Sequence, residues 1–308
     1  MRIGYFLIVL FFSPFFSDAQ IPKVSAGVIR HFENFPSKYV APRNIDLWLP
    51  DNYDPAKKYA VLYMHDGRSL FDSTIMWNHQ EWGVDEIMGE LLSEKKISDC
   101  IVVGIWNTDV TRHNEYLPQK PFEALNKAEQ DTIFKARRVN GQAVFRDYRI
   151  WSDNYLKFLT EELKPFIDSS FSTWRDRKNT YIAGSSMGGL ISLYAICEYP
   201  LVFGGAACLS THWTGIFRAD NNPFPAAMLK YLSKHLPAPN NHKIYFDHGT
   251  ATLDTLYKSF QDQVDVVMRK RGFGSVNWVT KEFPEADHSE TAWNKRLDIP
   301  LLFLLKRK

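Results

Sequence analysis

Hydrophobic residues along this chain fall into two alternating patterns. Short continuous runs read as buried strands: "YAVLYMHDG", "CIVVGIW", "TYIAG", "GGAACLS", "HKIYFDHG" and "VNWVTKEF". Between them lie segments with apolar positions every three or four residues, as helices require. These are "WGVDEIMGELLSEK", "DNYLKFLTEELKPFID" with Ser152 or Asp153 as its cap, "MGGLISLYAICEY", "AAMLKYLSKHL", "TLYKSFQDQVDVVMRKRG" and a closing "TAWNKRLDIPLLFLLK". Continuous strands separated by helices predict a mostly parallel sheet covered on both faces. Two earlier segments, "VIRHFENF" and "NIDLWLP", look like amphipathic strands with no helix between them, so the sheet should start antiparallel. One domain, residues 20–308, accounts for the pattern.

Two stretches depart from the rhythm. About forty-five residues separate "CIVVGIW" from the helix near Ser152, too many for an ordinary connection. The part from 118 to 150 reads as an insertion, partly helical in "FEALNKAEQDTIFKARR", and its place after a central strand favours a cap over a peripheral excursion. At the N-terminus, Met1-Arg2 precedes the apolar "IGYFLIVLFFSPFF" and the small residues Ser17 and Ala19. That is the pattern of a secretory signal peptide, residues 1–19, cleaved after Ala19. The apolar run is shorter than the ~20 residues of a span and contains Pro14. The expectation is an exported protein, periplasmic or secreted, without stable membrane insertion after cleavage.

Charge adds little. The chain carries 37 basic and 35 acidic side chains among 308 residues, a net charge of +2, so nothing points to nucleic acid. The clusters "KARR" and "MRKRG" read as solvated helix faces or ends. Cys100, Cys197 and Cys208 each sit in an apolar run and read as buried thiols, with a Cys197–Cys208 bridge as the alternative. Oligomeric state is not legible.

Chemistry concentrates at Gly184-Ser185-Ser186-Met187-Gly188. This G-x-S-x-G lies between a strand and a helix, the context in which a sharp turn holds a serine hydroxyl outside the sheet. A serine needs a base, and the base a third group, in the chain order serine, acid, histidine. His288, between the last strand and the last helix, is the expected base; His212 fits the pocket wall better. His235 and His242 flank a loop and read as exposed, and His248 lies in a strand-end turn. Asp247 and Asp254 are the candidate acids, with Asp254 favoured because it follows the turn. Backbone N–H groups of Met187 and Arg68 are the expected oxyanion donors, Gly67 allowing close approach. Asp66, beside His65 at a strand end, reads as a structural turn or a pocket wall. Trp77, Trp82, Trp106 and Trp213 are further wall candidates, and Arg112 either binds an anion or pairs with Glu115. Neither metal-ligand nor phosphate-loop motifs occur, so no metal and no cofactor are expected.

Together "YMHDGRSLFD", "VVGIWNTDVTRHNEYLP", "YIAGSSMGGLISLYA", "DHGTATLDTLY" and "ADHSETAW" resemble the putative-esterase (esterase D-like) family of α/β-hydrolases. That family includes enterochelin esterases, feruloyl and other carbohydrate esterases, and mycolyltransferases. The resemblance runs from about residue 30 to the C-terminus. It implies an α/β-hydrolase fold, Ser186 as nucleophile, His288 as base, Asp254 as acid, and Met187 and Arg68 as oxyanion donors. Two departures stand out: 118–150 follows no family pattern, and Ser210-Thr211-His212-Trp213 replaces a "Ser-Pro-Ser" type sequence. The expected function is an exported serine esterase acting on a carboxylic ester, first a carbohydrate-linked acetyl or feruloyl ester. Alternatives are a siderophore trilactone esterase, an acyltransferase using the same triad, and a catalytically silent binding protein of this fold. Activity should rise across neutral pH, since the base must be neutral.

Overall fold

A computed structural model describes residues 21–307, so the leader reading lies outside the described residues. One sheet of eight strands has the order β1-β2-β4-β3-β5-β6-β7-β8. They are β1 (Val28–Phe35), β2 (Arg43–Leu49), β3 (Ala60–His65), β4 (Cys100–Ile105), β5 (Thr180–Ser185), β6 (Gly205–Leu209), β7 (Lys243–Gly249) and β8 (Trp278–Phe283). The β1–β2 and β2–β4 ladders are antiparallel, and every ladder from β4 through β3 to β8 is parallel. Parallel neighbours need a crossover long enough to return the chain, which the helices supply. The short link between β1 and β2 cannot do that, so the chain turns back on itself.

Helices are α1 (Val84–Ser93), α2 (Arg112–Tyr116), α3 (Gln119–Glu123), α4 (Lys127–Phe134), α5 (Ser152–Lys157) and α6 (Lys164–Ser170). They continue as α7 (Met187–Glu198), α8 (Phe224–His235), α9 (Lys258–Lys270), α10 (Glu290–Asn294) and α11 (Asp298–Leu305). Alternate residues of each central strand serve opposite faces. Val61 and Tyr63 of β3 join a core with Ile191 of α7 and Val264 of α9. Leu62 and Met64 join the other, with Met88 of α1 and Leu304 of α11. Both faces are therefore apolar, which is why the strands read as continuous runs. This is the expected α/β-hydrolase architecture.

Four local expectations need correction. The helix over 153–168 is interrupted by a wide π-type turn at Phe158–Leu163. Neither Ser152 nor Asp153 caps it: Ser152 Oγ accepts the Gln119 N–H at 2.9 Å, and Asp153 accepts from Tyr194 Oη at 2.6 Å. The closing helix splits into α10 and α11, Pro300 lying in the first turn of α11, where its missing N–H costs no intrahelical bond. His242 is buried, its ring nitrogens 2.9 Å from Ala238 O and 2.8 Å from Pro200 O. All three cysteines are free and buried.

The segment after β4 folds into α2, α3, α4 and a short hairpin bridge between Arg137 and Ala143. A reciprocal cap between Asn126 and Glu129 starts α4. Phe134 packs edge-on against Phe122 and Phe145, with ring centroids 4.9 and 5.6 Å apart, continuous with the main core. No helix among the described residues is long and apolar enough to cross a membrane.

Candidate active site

Ser186 stands between β5 and α7 with φ 56° and ψ −122°, a conformation worth roughly 1–3 kcal/mol of strain for a non-glycine residue. Crowding explains the glycines around it. A Cβ on Gly184 would lie 2.8 Å from the Gly188 carbonyl carbon, and one on Gly188 would lie 3.3 Å from Asp66 Oδ2. Backbone bonds hold the turn: Ser186 N–H donates to Leu209 O at 2.9 Å, and Ser186 O accepts from His212 N–H at 3.1 Å.

Ser186 and His288 line one cavity of about 620 Å³, together with Met187 and Arg68. His288, in the loop between β8 and α10, has its Nδ1 2.5 Å from Asp254 Oδ1. Asp254 lies in a tight turn after β7. Its other oxygen accepts the Gly249 N–H and the Ser210 hydroxyl, each at 2.6 Å. Burial pushes this carboxyl up, but the His288 ring and these donors outweigh it, leaving it below the usual carboxylate range. Asp247 points elsewhere. Within β7 it accepts from Arg296 Nη2 at 3.0 Å, Ser210 N–H at 3.1 Å and Tyr245 Oη at 3.1 Å.

Met187 opens α7, so its N–H has no intrahelical acceptor and is available to a ligand. Gly67 lies close against β4, where a Cβ would meet the Gly104 carbonyl carbon at 2.6 Å. Asp66, at φ 58°, holds Arg112 through two bonds of 2.7 and 2.6 Å and accepts from Asn107 at 2.6 Å. Burial raises the Asp66 carboxyl, yet the Arg112 guanidinium leaves it net lowered. Arg112 therefore pairs with Asp66, and Glu115 is buried against Arg43 instead, at 2.8 and 2.9 Å.

His212 lines the cavity, its Nδ1 2.6 Å from the Tyr257 hydroxyl, and burial pushes its pKa down to about 3. The ring of Tyr257 also stands edge-on to that of His288, with centroids 5.8 Å apart. Sequence reasoning missed Tyr257, which reads there as an ordinary helix residue. Trp77, Trp82, Trp106 and Trp293 line the cavity, whereas Trp213 does not. Trp213 is buried against Phe246 and donates to Gln261 Oε1 at 3.1 Å. The "KARR" cluster also departs from expectation: Arg137 is exposed, but Arg138 stands on the cavity wall. Among the described residues no three His, Cys, Asp or Glu side chains converge as metal ligands do.

A family model described as "Putative esterase" matches residues 39–304. Two proteins of Bacillus subtilis strain 168 are similar in sequence. YjcH is 26% identical over 74% of this chain and 75% of its own length. YbbA is 24% identical over 56% of this chain and 58% of its own length, so the match spans little more than half of that relative. Both carry the name "uncharacterized protein". Among solved structures, a ferulic acid esterase from Anaeromyces mucronatus has TM-score 0.64 at 20% identity, covering 92% of each chain. The enterobactin esterase of Shigella flexneri has TM-score 0.62 at 13% identity, covering 92% of this chain and 60% of that one. At these identities the structural likeness is one of fold.

Proposed function

This chain belongs to the putative-esterase family, and from that premise we propose that it is an exported serine esterase hydrolysing a carboxylic ester through Ser186, His288 and Asp254. One observation carries the reading: the strained serine between β5 and α7 shares a cavity with a histidine whose far nitrogen is held by a buried carboxylate.

Asp254 holds the proton of His288 on Nδ1, leaving Nε2 as the base. Ser186 Oγ attacks the ester carbonyl as its proton passes to His288 Nε2. The N–H groups of Met187 and Arg68 receive the developing oxyanion. Collapse expels the alcohol, which takes the proton from His288, and leaves an acyl-serine. Water, deprotonated by the same imidazole, then releases the acid and restores Ser186.

Export rests on the pattern of residues 1–19. A carbohydrate-linked ester of acetyl or feruloyl type is the favoured substrate. The tryptophans on the cavity wall can stack on sugar rings and aromatic acyl groups, and fold neighbours bear the name ferulic acid esterase. The test is turnover by the mature protein of acetylated xylan fragments, feruloylated sugars, a trilactone siderophore and simple aryl esters. Strong preference for the trilactone would replace the carbohydrate reading. Probe labelling at Ser186 without hydrolysis of any ester would point to an acyl acceptor other than water.

A further inference from the structure

Arg138 belongs to the segment between β4 and α5, yet its side chain forms part of the cavity wall that holds Ser186. Its close contacts are uncharged. Nη2 lies 3.3 Å from His113 Nδ1, and the guanidinium carbon lies 5.6 Å from the centre of the Phe217 ring. His113 is buried, and that burial, with Arg112 and Arg138 nearby, keeps its ring neutral and able to accept this bond. No carboxylate among the described residues pairs with Arg138. Partial burial pushes the Arg138 pKa down, and the like charge of Arg112 pushes it further the same way.

Other acids on this wall are engaged or open to solvent. Asp66 is taken by Arg112, and Glu290 accepts from Asn78 Nδ2 at 3.0 Å. Asp109 is exposed. A half-buried guanidinium beside a like charge destabilises the empty protein, and an anion seated on it would relieve that. Guanidinium groups also offer paired donors that match a carboxylate better than any neutral group.

We propose that Arg138 is a specificity determinant that selects esters bearing a carboxylate away from the scissile bond. Resting on the esterase reading, this adds what that reading leaves open: the substrate class is acidic, and the segment after β4 recognises it. The carboxylate can belong to the acyl part, as in a hemi-ester of a dicarboxylic acid, or to the alcohol part, as in a uronic acid.

Two matched pairs separate these sources. One sets 4-nitrophenyl butyrate against 4-nitrophenyl hemisuccinate, the other phenyl acetate against 4-acetoxybenzoate. In the wild type the acidic member of at least one pair should have the higher kcat/KM, by about 10- to 100-fold, the range for a charge-assisted bond. Arg138→Gln should bring that ratio towards one, mainly through KM, while Arg138→Lys keeps part of it. Arg138→Gln should also melt no lower than wild type without ligand, since it removes an unpaired charge. Turnover of the neutral esters with no acidic preference, or a preference that survives in Arg138→Gln, overturns the inference. Turnover of neither pair by a protein that hydrolyses another ester of the panel above also overturns it, whereas hydrolysis of no ester at all removes the esterase reading beneath it.

Discussion

The Ser210 hydroxyl lies 2.6 Å from Asp254 Oδ2, and its proton has nowhere else to go. Trp293 Nε1 at 3.0 Å and Arg296 Nη2 at 2.9 Å, both donors only, occupy its two lone pairs. Ser210 must therefore donate to Asp254. With the Gly249 N–H on the same oxygen, the carboxylate is fixed so that Oδ1 faces His288. Ser210→Ala should thus lower kcat by about tenfold or more with little change in KM, because the acid loses one of its holders. The same variant leaves buried donors on Trp293 and Arg296 unpaired, a loss of about 1–3 kcal/mol in denaturant unfolding. An unchanged kcat would show that Gly249 alone holds Asp254.

Ser186→Ala should abolish labelling by a fluorophosphonate and reduce aryl acetate turnover by about 10⁴-fold or more, with the melting temperature retained. Residual activity near that of the wild type would remove Ser186 from the mechanism.

The two aspartates should separate by the kind of damage. Asp254→Asn leaves a folded protein with kcat reduced by about 10⁴-fold, since the amide cannot hold the His288 tautomer in the same way. Asp247→Asn breaks a fully buried pair with Arg296 and should cost about 3–5 kcal/mol of stability. Thermal melting and steady-state kinetics on both variants check this. An inactive Asp247→Asn of wild-type stability beside an active Asp254→Asn would reverse the assignment.

Acid should destabilise the protein before its ordinary carboxylates titrate. Burial holds His65 and His212 down to about 3, against ~6.5 for an unfolded histidine. Between those values the unfolded chain binds more protons than the folded one, so stability rises with pH and is lost on acidification. Asp66 and Asp254, both lowered on folding, add a further loss below about pH 4. Melting temperature should therefore fall steadily from pH 7 to pH 5, and His65→Gln should flatten that slope. A flat profile in the wild type would mean that these rings are solvated.

Gly184→Ala should destabilise by about 1–3 kcal/mol, because the added methyl meets the Gly188 backbone and not a side chain that can swing aside. Chemical denaturation measures it, and a neutral substitution would mean that the turn can open.

What the sequence determined by itself is what local pattern encodes. Continuous apolar strands, intervening helical periodicity and a helix-free link between β1 and β2 are enough for a mostly parallel sheet with an antiparallel start. The turn at Ser186 is legible for the same reason, since its glycines answer crowding within a few residues. Tertiary structure decided whatever depends on residues distant in the chain. Asp247 and Asp254 are seven positions apart and alike in sequence; Arg296 and Tyr245 claim one while His288 meets the other. Arg112 has a carboxylate at Glu115 in its own helix, yet Asp66, 46 positions away, takes it because Arg43 already occupies Glu115. Trp213 follows a cavity residue and still turns into the core, and Arg138 reaches the cavity from a cluster that reads as solvated. A charged side chain settles where a partner or a ligand can meet it after the chain has folded, and pattern along the chain carries no record of that meeting.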